Sequence, residues 1–144
     1  MPERTEARPG VNDGKVVLQA EECSLWYHPE IKLVHHCMHR PMSSKAFRDM
    51  LSQGAEVLAA NRATKWLSDD RTHKVLSPED ADWGETVWFP RVRAQGFKYW
   101  GIVMPTAAIG KLNINRFAQG IAEKGVEVQV SDSPEELFDW LSSF

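Results

Sequence analysis

With 144 residues the chain has the length of one domain, and a domain of this size buries roughly 70% of its extended-chain surface without help from a metal or a disulfide framework. The net charge of −3, with acidic and basic residues interleaved, argues against the basic stripe of a nucleic-acid-binding protein. With no membrane-length apolar run, no secretory signal and only two cysteines, the sequence predicts a cytoplasmic protein without membrane insertion.

The first third of the chain predicts a disordered arm, a hairpin and a helix. Residues 1–14 are rich in Pro, Gly, Glu and Arg, which is typical of a disordered arm, so the folded domain is expected at 15–144. Two extended runs, 15–28 and 31–40, flank a His-Pro-Glu turn and predict an antiparallel hairpin. A helix follows, with Ser43 or Ser44 as its cap and apolar residues at three- and four-residue spacings.

The remaining elements alternate between strands and helices. Residues 65–68 predict a short strand, and a polar loop leads into a helix from about Pro78 to Trp88. Pro90 predicts a kink or a restart of that helix. Residues 98–104 form an apolar run typical of a buried parallel strand. A helix at 109–121, a strand at 126–130 and a helix after Ser133 complete the chain.

The resulting order, β-β-α-β-α-β-α-β-α, predicts a single-domain α/β fold. Strands joined by single helices require right-handed crossovers and therefore a mainly parallel sheet. An antiparallel hairpin opens that sheet.

In this order the chain resembles the STAS domains, the fold of anti-sigma-factor antagonists and of sulfate-transporter tails. More narrowly, it is similar to small, poorly characterised bacterial domains of that type, which carry a similar KWLSD-R…SPED-W…W-PR stretch, here residues 65–91. The resemblance covers residues 15–144 in element order. It implies a STAS-like fold and a regulatory or protein-interaction role in bacterial signalling.

In STAS antagonists a kinase phosphorylates a serine at the start of a helix, and the resemblance puts that position in the neighbourhood of Ser77. The family pattern there is Asp-Ser followed by small residues and glycine, whereas this chain reads Leu-Ser-Pro-Glu-Asp at 76–80. Serine, proline and acid in this order are also typical of a helix start, and the same sequence pattern recurs at Ser133. We therefore interpret Ser77 as a helix cap beside Asp80 and expect no functional phosphoserine switch.

Asp69, Asp70 and Arg71 follow a predicted parallel strand, where open α/β sheets place their ligands. Neighbouring carboxylates can share a proton or hold a cation. An aspartate–arginine pair can equally lock a loop by charge-assisted hydrogen bonds. The sequence leaves the binding and the structural interpretation open.

The tryptophans of the helix after Ser77 separate into two groups. Trp83 and Val87 are four residues apart and are expected to share a core face. Trp88 lies about 140° from Trp83 on an α-helix, so it must pack elsewhere in the core or lie exposed. If exposed, Trp88 with Arg91 resembles a partner-binding patch.

A cluster of histidines and cysteines lies on the second hairpin strand. Alternation puts His35, Cys37 and His39 on one face, and Cys23 lies roughly opposite across the hairpin. Cys23, His35 and Cys37 are therefore candidate ligands of a metal ion. Ordinary half-buried strand side chains are the alternative interpretation.

The absence of an assembled catalytic set and of a phosphate-binding loop favours a non-enzymatic protein without a cofactor. The leading hypothesis is a regulatory module that binds an unidentified protein through residues 69–82 and 88–93, with homodimerisation through an open sheet edge also allowed. The first alternative, implied by the resemblance, is a small-ligand or lipid-binding domain. The second is a metal-binding protein that uses the strand at 35–39.

Overall fold

A six-stranded mixed sheet organises the chain in the computed structural model, which describes residues 10–72 and 76–144. The spatial order of the strands equals their chain order. The first three strands pair antiparallel and the last three join in parallel, so the predicted α/β class with a mixed, mainly parallel sheet is confirmed. The strands are β1 Lys15–Gln19, β2 Cys23–His28, β3 Leu33–Met38, β4 Lys65–Asp69, β5 Tyr99–Val103 and β6 Glu127–Ser131.

The run at 15–28, predicted as one strand, forms two. The chain reverses between Gln19 and Cys23, where the Ala20 N–H donates to the Cys23 carbonyl at 2.9 Å. Apolar alternation continues on both sides of the paired glutamates at 21 and 22, so periodicity alone did not reveal the turn. The predicted hairpin is thus a three-stranded meander, with β1 as an additional edge strand.

The helices connect the parallel strands and close the chain. A continuous helical stretch follows Ser77 and contains a π-helical segment in which the Phe89 N–H donates to the Gly84 carbonyl, five residues back. Pro90 lies in the first turn of the α-helix that follows, so the hydrogen-bond pattern of the helix changes next to the residue that cannot donate. The helices are α1 Ser44–Ala60, α2 Pro78–Trp83, the π-helical segment Gly84–Trp88, α3 Phe89–Ala94, α4 Thr106–Gly110, α5 Ile114–Ala122 and α6 Pro134–Ser142.

The sheet separates two hydrophobic clusters. Because the parallel strands follow each other in order, right-handed crossovers put all their helices on one face, here named the crossover face. Trp66 is buried there against α1 and the π-helical segment. Leu67, its neighbour in β4, faces the opposite side and packs against α6. Both faces of β4 are thus covered, which explains why all five of its residues are buried.

The described part of the chain begins within the predicted arm. Gly10 and Asp13 close a turn, and Val11 is buried in the cluster under α6. The packed structure therefore starts before Lys15, while residues 1–9 of the predicted arm lie outside the described residues. Within the described ranges, no helix combines the length and the apolar character needed to cross a bilayer.

The predicted helix caps are present. Ser77 Oγ accepts from the Asp80 N–H and Ser133 Oγ from the Glu136 N–H, both at 3.1 Å. Ser43, one of the two predicted candidates, caps α1.

We expect Ser77→Ala and Ser133→Ala each to lower the free energy of unfolding by about 1 kcal/mol, because each leaves a helix-start N–H without its acceptor. Urea denaturation measures the change. Ser52→Ala, inside α1, is the control and is expected to be neutral or slightly stabilising because alanine is the better helix former. A Ser77→Ala variant as stable as the parent protein would contradict the capping role.

Candidate functional site

A pocket of about 590 Å³ lies between the crossover face and its helices. It is formed at the carboxyl ends of β3, β4 and β5, the edge where parallel α/β sheets bind ligands. Its volume falls within the roughly 300–1,000 Å³ of small-molecule sites.

Apolar side chains dominate the walls of this pocket. α1 supplies one wall, the π-helical segment a second, and α4 with α5 a third. The α4–α5 wall holds no fully buried residue, so its apolar side chains are only half covered by the protein. The main apolar lining residues are Met38, Phe47, Leu51, Leu76, Trp88, Phe89, Trp100, Met104, Phe117 and Ile121.

Trp88 belongs to this lining and is only 5% exposed, so the core interpretation of Trp88 is confirmed and the exposed patch is wrong. Its ring lies 5.9 Å from that of Trp100. Arg91 is exposed and is not part of the lining, so the two residues do not form one surface. The expected core position of Val87 is also wrong, because Val87 is 49% exposed.

The π-helical segment explains why Trp88 is buried and why Val87 is exposed. Its i→i+5 hydrogen bond fits an extra residue into the turn, so residues five apart come to face the same way. Trp83, which packs against Phe47, and Trp88 consequently both turn toward the sheet. The separation of about 140° between Trp83 and Trp88 holds only for a regular α-helix.

A hydrogen-bonded chain enters the pocket from the sheet. The Trp66 indole Nε1–H donates to His36 Nδ1 at 2.9 Å, and His36 Nε2 lies 2.7 Å from Asp70 Oδ1. Since an indole nitrogen only donates, Nδ1 must be the acceptor, and Nε2 carries the proton that it donates to Asp70. Both ring nitrogens of His36 are therefore engaged, and neither is free to take a proton from a substrate.

His36 was missed as a site residue because the candidate metal ligands His35 and Cys37 lie on the other face of its strand. The alternation that groups His35 with Cys37 also turns His36 toward the crossover face. His36 then lies beside Ser68 in the parallel register, two residues before Asp70, which follows the end of β4. The pairing of a strand histidine with an acid after the next parallel strand is the signal that could have found it.

Asp69 and Asp70 are neighbours in sequence but bond to different partners. Arg71 donates to both oxygens of buried Asp69, at 2.9 and 2.7 Å, and this contact raises the pKa of Arg71. The loop is thus locked as the structural alternative predicts. Asp70, bonded to His36, is the carboxylate of the pair that lines the pocket.

Asp80 joins two helices. It is buried and accepts from Ser44 Oγ at 2.7 Å and from Arg48 Nε at 3.0 Å, and the Ser44 hydrogen bond is the main cause that lowers the pKa of Asp80. Ser77, half-buried, is engaged in the cap beside it. Of these two predicted binding residues, Asp80 therefore holds α2 against α1 and Ser77 caps α2.

The predicted metal triad does not converge. Cys23 pairs with Met38 on the crossover face, whereas His35 and Cys37 lie on the opposite face, so the hypothesis of a site built from these three residues is wrong. The turn places Cys23 three positions beyond His35, and an odd offset reverses the face. Among the described residues, no group of three or more His, Cys, Asp or Glu side chains is arranged to hold a metal ion. Burial, reinforced by Asp69, raises the pKa of the Cys37 thiol to about 12.

Comparison with known proteins found no matching family model, no similar curated protein and no similar solved structure. The comparisons show no family. The likeness to STAS domains stays a prediction from the sequence.

Proposed function

We propose that this protein is a non-enzymatic binding module for a small, largely apolar molecule held in the pocket at the sheet edge. The pocket itself carries the proposal, because a partly open cavity of about 590 Å³ with apolar walls and few polar groups matches the usual small-molecule site. The small-ligand hypothesis from the sequence is thereby preferred over the metal-binding one.

Two polar features of the walls support a binding role rather than a catalytic one. His36 is saturated by Trp66 and Asp70, so it orients a carboxylate instead of acting as a base. Trp88 Nε1 is buried and has no hydrogen-bond partner within the described residues. Leaving such a donor unpaired costs about 1–3 kcal/mol, which a ligand acceptor beside Trp88 would offset.

The regulatory role implied by the STAS resemblance is compatible with this proposal, with ligand occupancy as the signal passed to a partner protein. The predicted partner surface is smaller than expected, since Asp69, Asp80 and Trp88 are buried. Asp70, Arg71 and Arg91 retain the exposure that a protein contact needs.

We expect Gly84→Leu to weaken ligand binding roughly tenfold, because the added side chain occupies pocket volume. Gly84 lines the pocket, and a Cβ placed there meets no heavy atom within 4 Å. Its helical backbone accepts leucine without strain, so stability should rise rather than fall. The neutral apolar dye N-phenyl-1-naphthylamine, titrated by fluorescence, is the probe.

Gly110→Leu is the matched control, since Gly110 also has open space around its Cβ but does not line the pocket. Its affinity for the dye should equal that of the parent protein. Dye binding that does not saturate, or that is unchanged in Gly84→Leu, would refute the pocket as the binding site.

A further inference from the structure

Of the charged side chains that the structure describes around the pocket, one carboxylate lacks a partner of opposite charge. Arg71 is held by two hydrogen bonds to Asp69, and Lys124 Nζ lies 3.5 Å from Glu85 Oε2. Each of these cations therefore already has an anionic partner. Among the residues that the structure describes, Asp70 is the remaining charged residue of the lining.

Asp70 is hydrogen-bonded without being neutralised. His36 donates its Nε2–H to Oδ1, and because Nδ1 accepts from the Trp66 indole, the imidazole carries no net charge in this arrangement. No described residue donates to Oδ2, and the Asp70 side chain is 31% exposed. A fixed, oriented negative charge thus lies in the pocket wall with one oxygen available.

Aromatic rings occupy other lining positions of the same pocket. Trp88, Phe89 and Trp100 pack with ring centroids 5.9 to 6.4 Å apart. A cation within about 6 Å of a ring centroid is attracted by the electron-rich face. Phe89 already meets this condition with the Lys124 ammonium, 5.6 Å from its centroid.

We propose that the pocket selects an organic cation: a protonated amine whose ammonium group bonds Asp70 Oδ2 and whose apolar body fills the space between the aromatic rings and α5. This inference rests on the proposed function, of which it names the ligand class. A neutral molecule of equal shape gains only the apolar contacts. An anion of equal shape is repelled by Asp70.

Three probes of matched shape test the charge preference: 4-phenylbutylamine, 4-phenylbutanol and 4-phenylbutyrate, titrated calorimetrically at neutral pH. The amine is expected to bind at least roughly tenfold tighter than the alcohol, because its hydrogen bond to Asp70 is charge-assisted. Asp70→Asn keeps an oxygen to accept from His36 but removes the charge. The affinities for the amine and for the alcohol should then become nearly equal. Asp139→Asn, an exposed carboxylate on α6 at the opposite face, should leave the preference unchanged.

The outcomes separate this inference from the proposal on which it rests. Equal binding of all three probes, or an amine preference that survives in Asp70→Asn, would overturn the cation site and leave a general apolar pocket. If none of the three probes binds and the dye binding does not saturate, both the cation site and the proposed function are overturned. If Asp70→Asn fails to fold, the ratio of the alcohol and amine dissociation constants on the unmodified protein is the test, and a ratio near one overturns the cation site.

Discussion

Gly54→Ala is expected to destabilise the protein by about 3 kcal/mol, although alanine is the better helix former. Gly54 lies inside α1, and a Cβ there would come within 2.3 Å of Trp66 Cη2. The indole cannot retreat easily. It is fully buried, donates to His36 and packs edge-on against Trp88 at 5.0 Å.

Equilibrium urea denaturation measures this effect, and Gly120→Ala in α5 is the matched control. A Cβ at Gly120 meets nothing within 4 Å, so that change should stabilise the protein by about 0.5–1 kcal/mol. The two glycine-to-alanine changes thus have opposite expected signs.

A double mutant locates the clash. Trp66→Phe removes the outer indole ring and should recover part of the Gly54→Ala loss, with a coupling energy above about 1 kcal/mol. Additive effects of the two substitutions would mean that Gly54 acts on something other than Trp66.

His35 is expected to make stability fall as the pH falls. Burial, followed by the nearby His28 and His36, lowers the pKa of His35 from 6.5 to about 3. The folded protein then holds His35 neutral, while the unfolded chain takes up a proton below pH 6.5. The contribution of His35 to the free energy of unfolding is fully present above this pH. It is lost by about 1.4 kcal/mol for each pH unit between 6.5 and 3, roughly 5 kcal/mol in total.

The surroundings of His35 explain why the proton is excluded. Its Nδ1 lies 3.2 Å from Nε2 of His28, whose pKa is also lowered by burial, and Trp26 packs against its ring at 4.6 Å. Placing a charge there would put a cation beside a second imidazole in a nearly dry site.

Comparing the free energy of unfolding of the parent protein and His35→Asn from pH 4 to pH 7 isolates this contribution. Asparagine keeps a polar atom near the Nδ1 position without titrating, so the pH slope should flatten. His39→Gln is the control, because His39 is exposed and lies two residues beyond Cys37. This variant should keep the pH slope of the parent protein. An unchanged slope in His35→Asn would assign the acid sensitivity to other groups.

The site was only partly accessible from the sequence. Asp70 was predicted because acids after a parallel strand lie at the ligand edge, and this requires only the order of the elements. His36 was not, because its contact with Asp70 joins residues 34 positions apart. The metal hypothesis failed for a related reason. Whether Cys23 lies opposite His35 depends on the length of the turn between β2 and β3, which cannot be inferred from the residues of the strands.

The sequence by itself determined the α/β class, the parallel crossovers after β3, and the helix starts at Ser77, at Ser133 and at one of the two serines 43 and 44. These features depend on hydrophobic periodicity and local hydrogen bonds, which act within a few residues. The tertiary structure decided the hairpin register, the π-helical turn that brings Trp88 into the pocket, and the Trp66–His36–Asp70 chain. Each of these depends on side chains from different elements packing together, so its free energy is set by contacts between distant parts of the chain rather than by the local pattern.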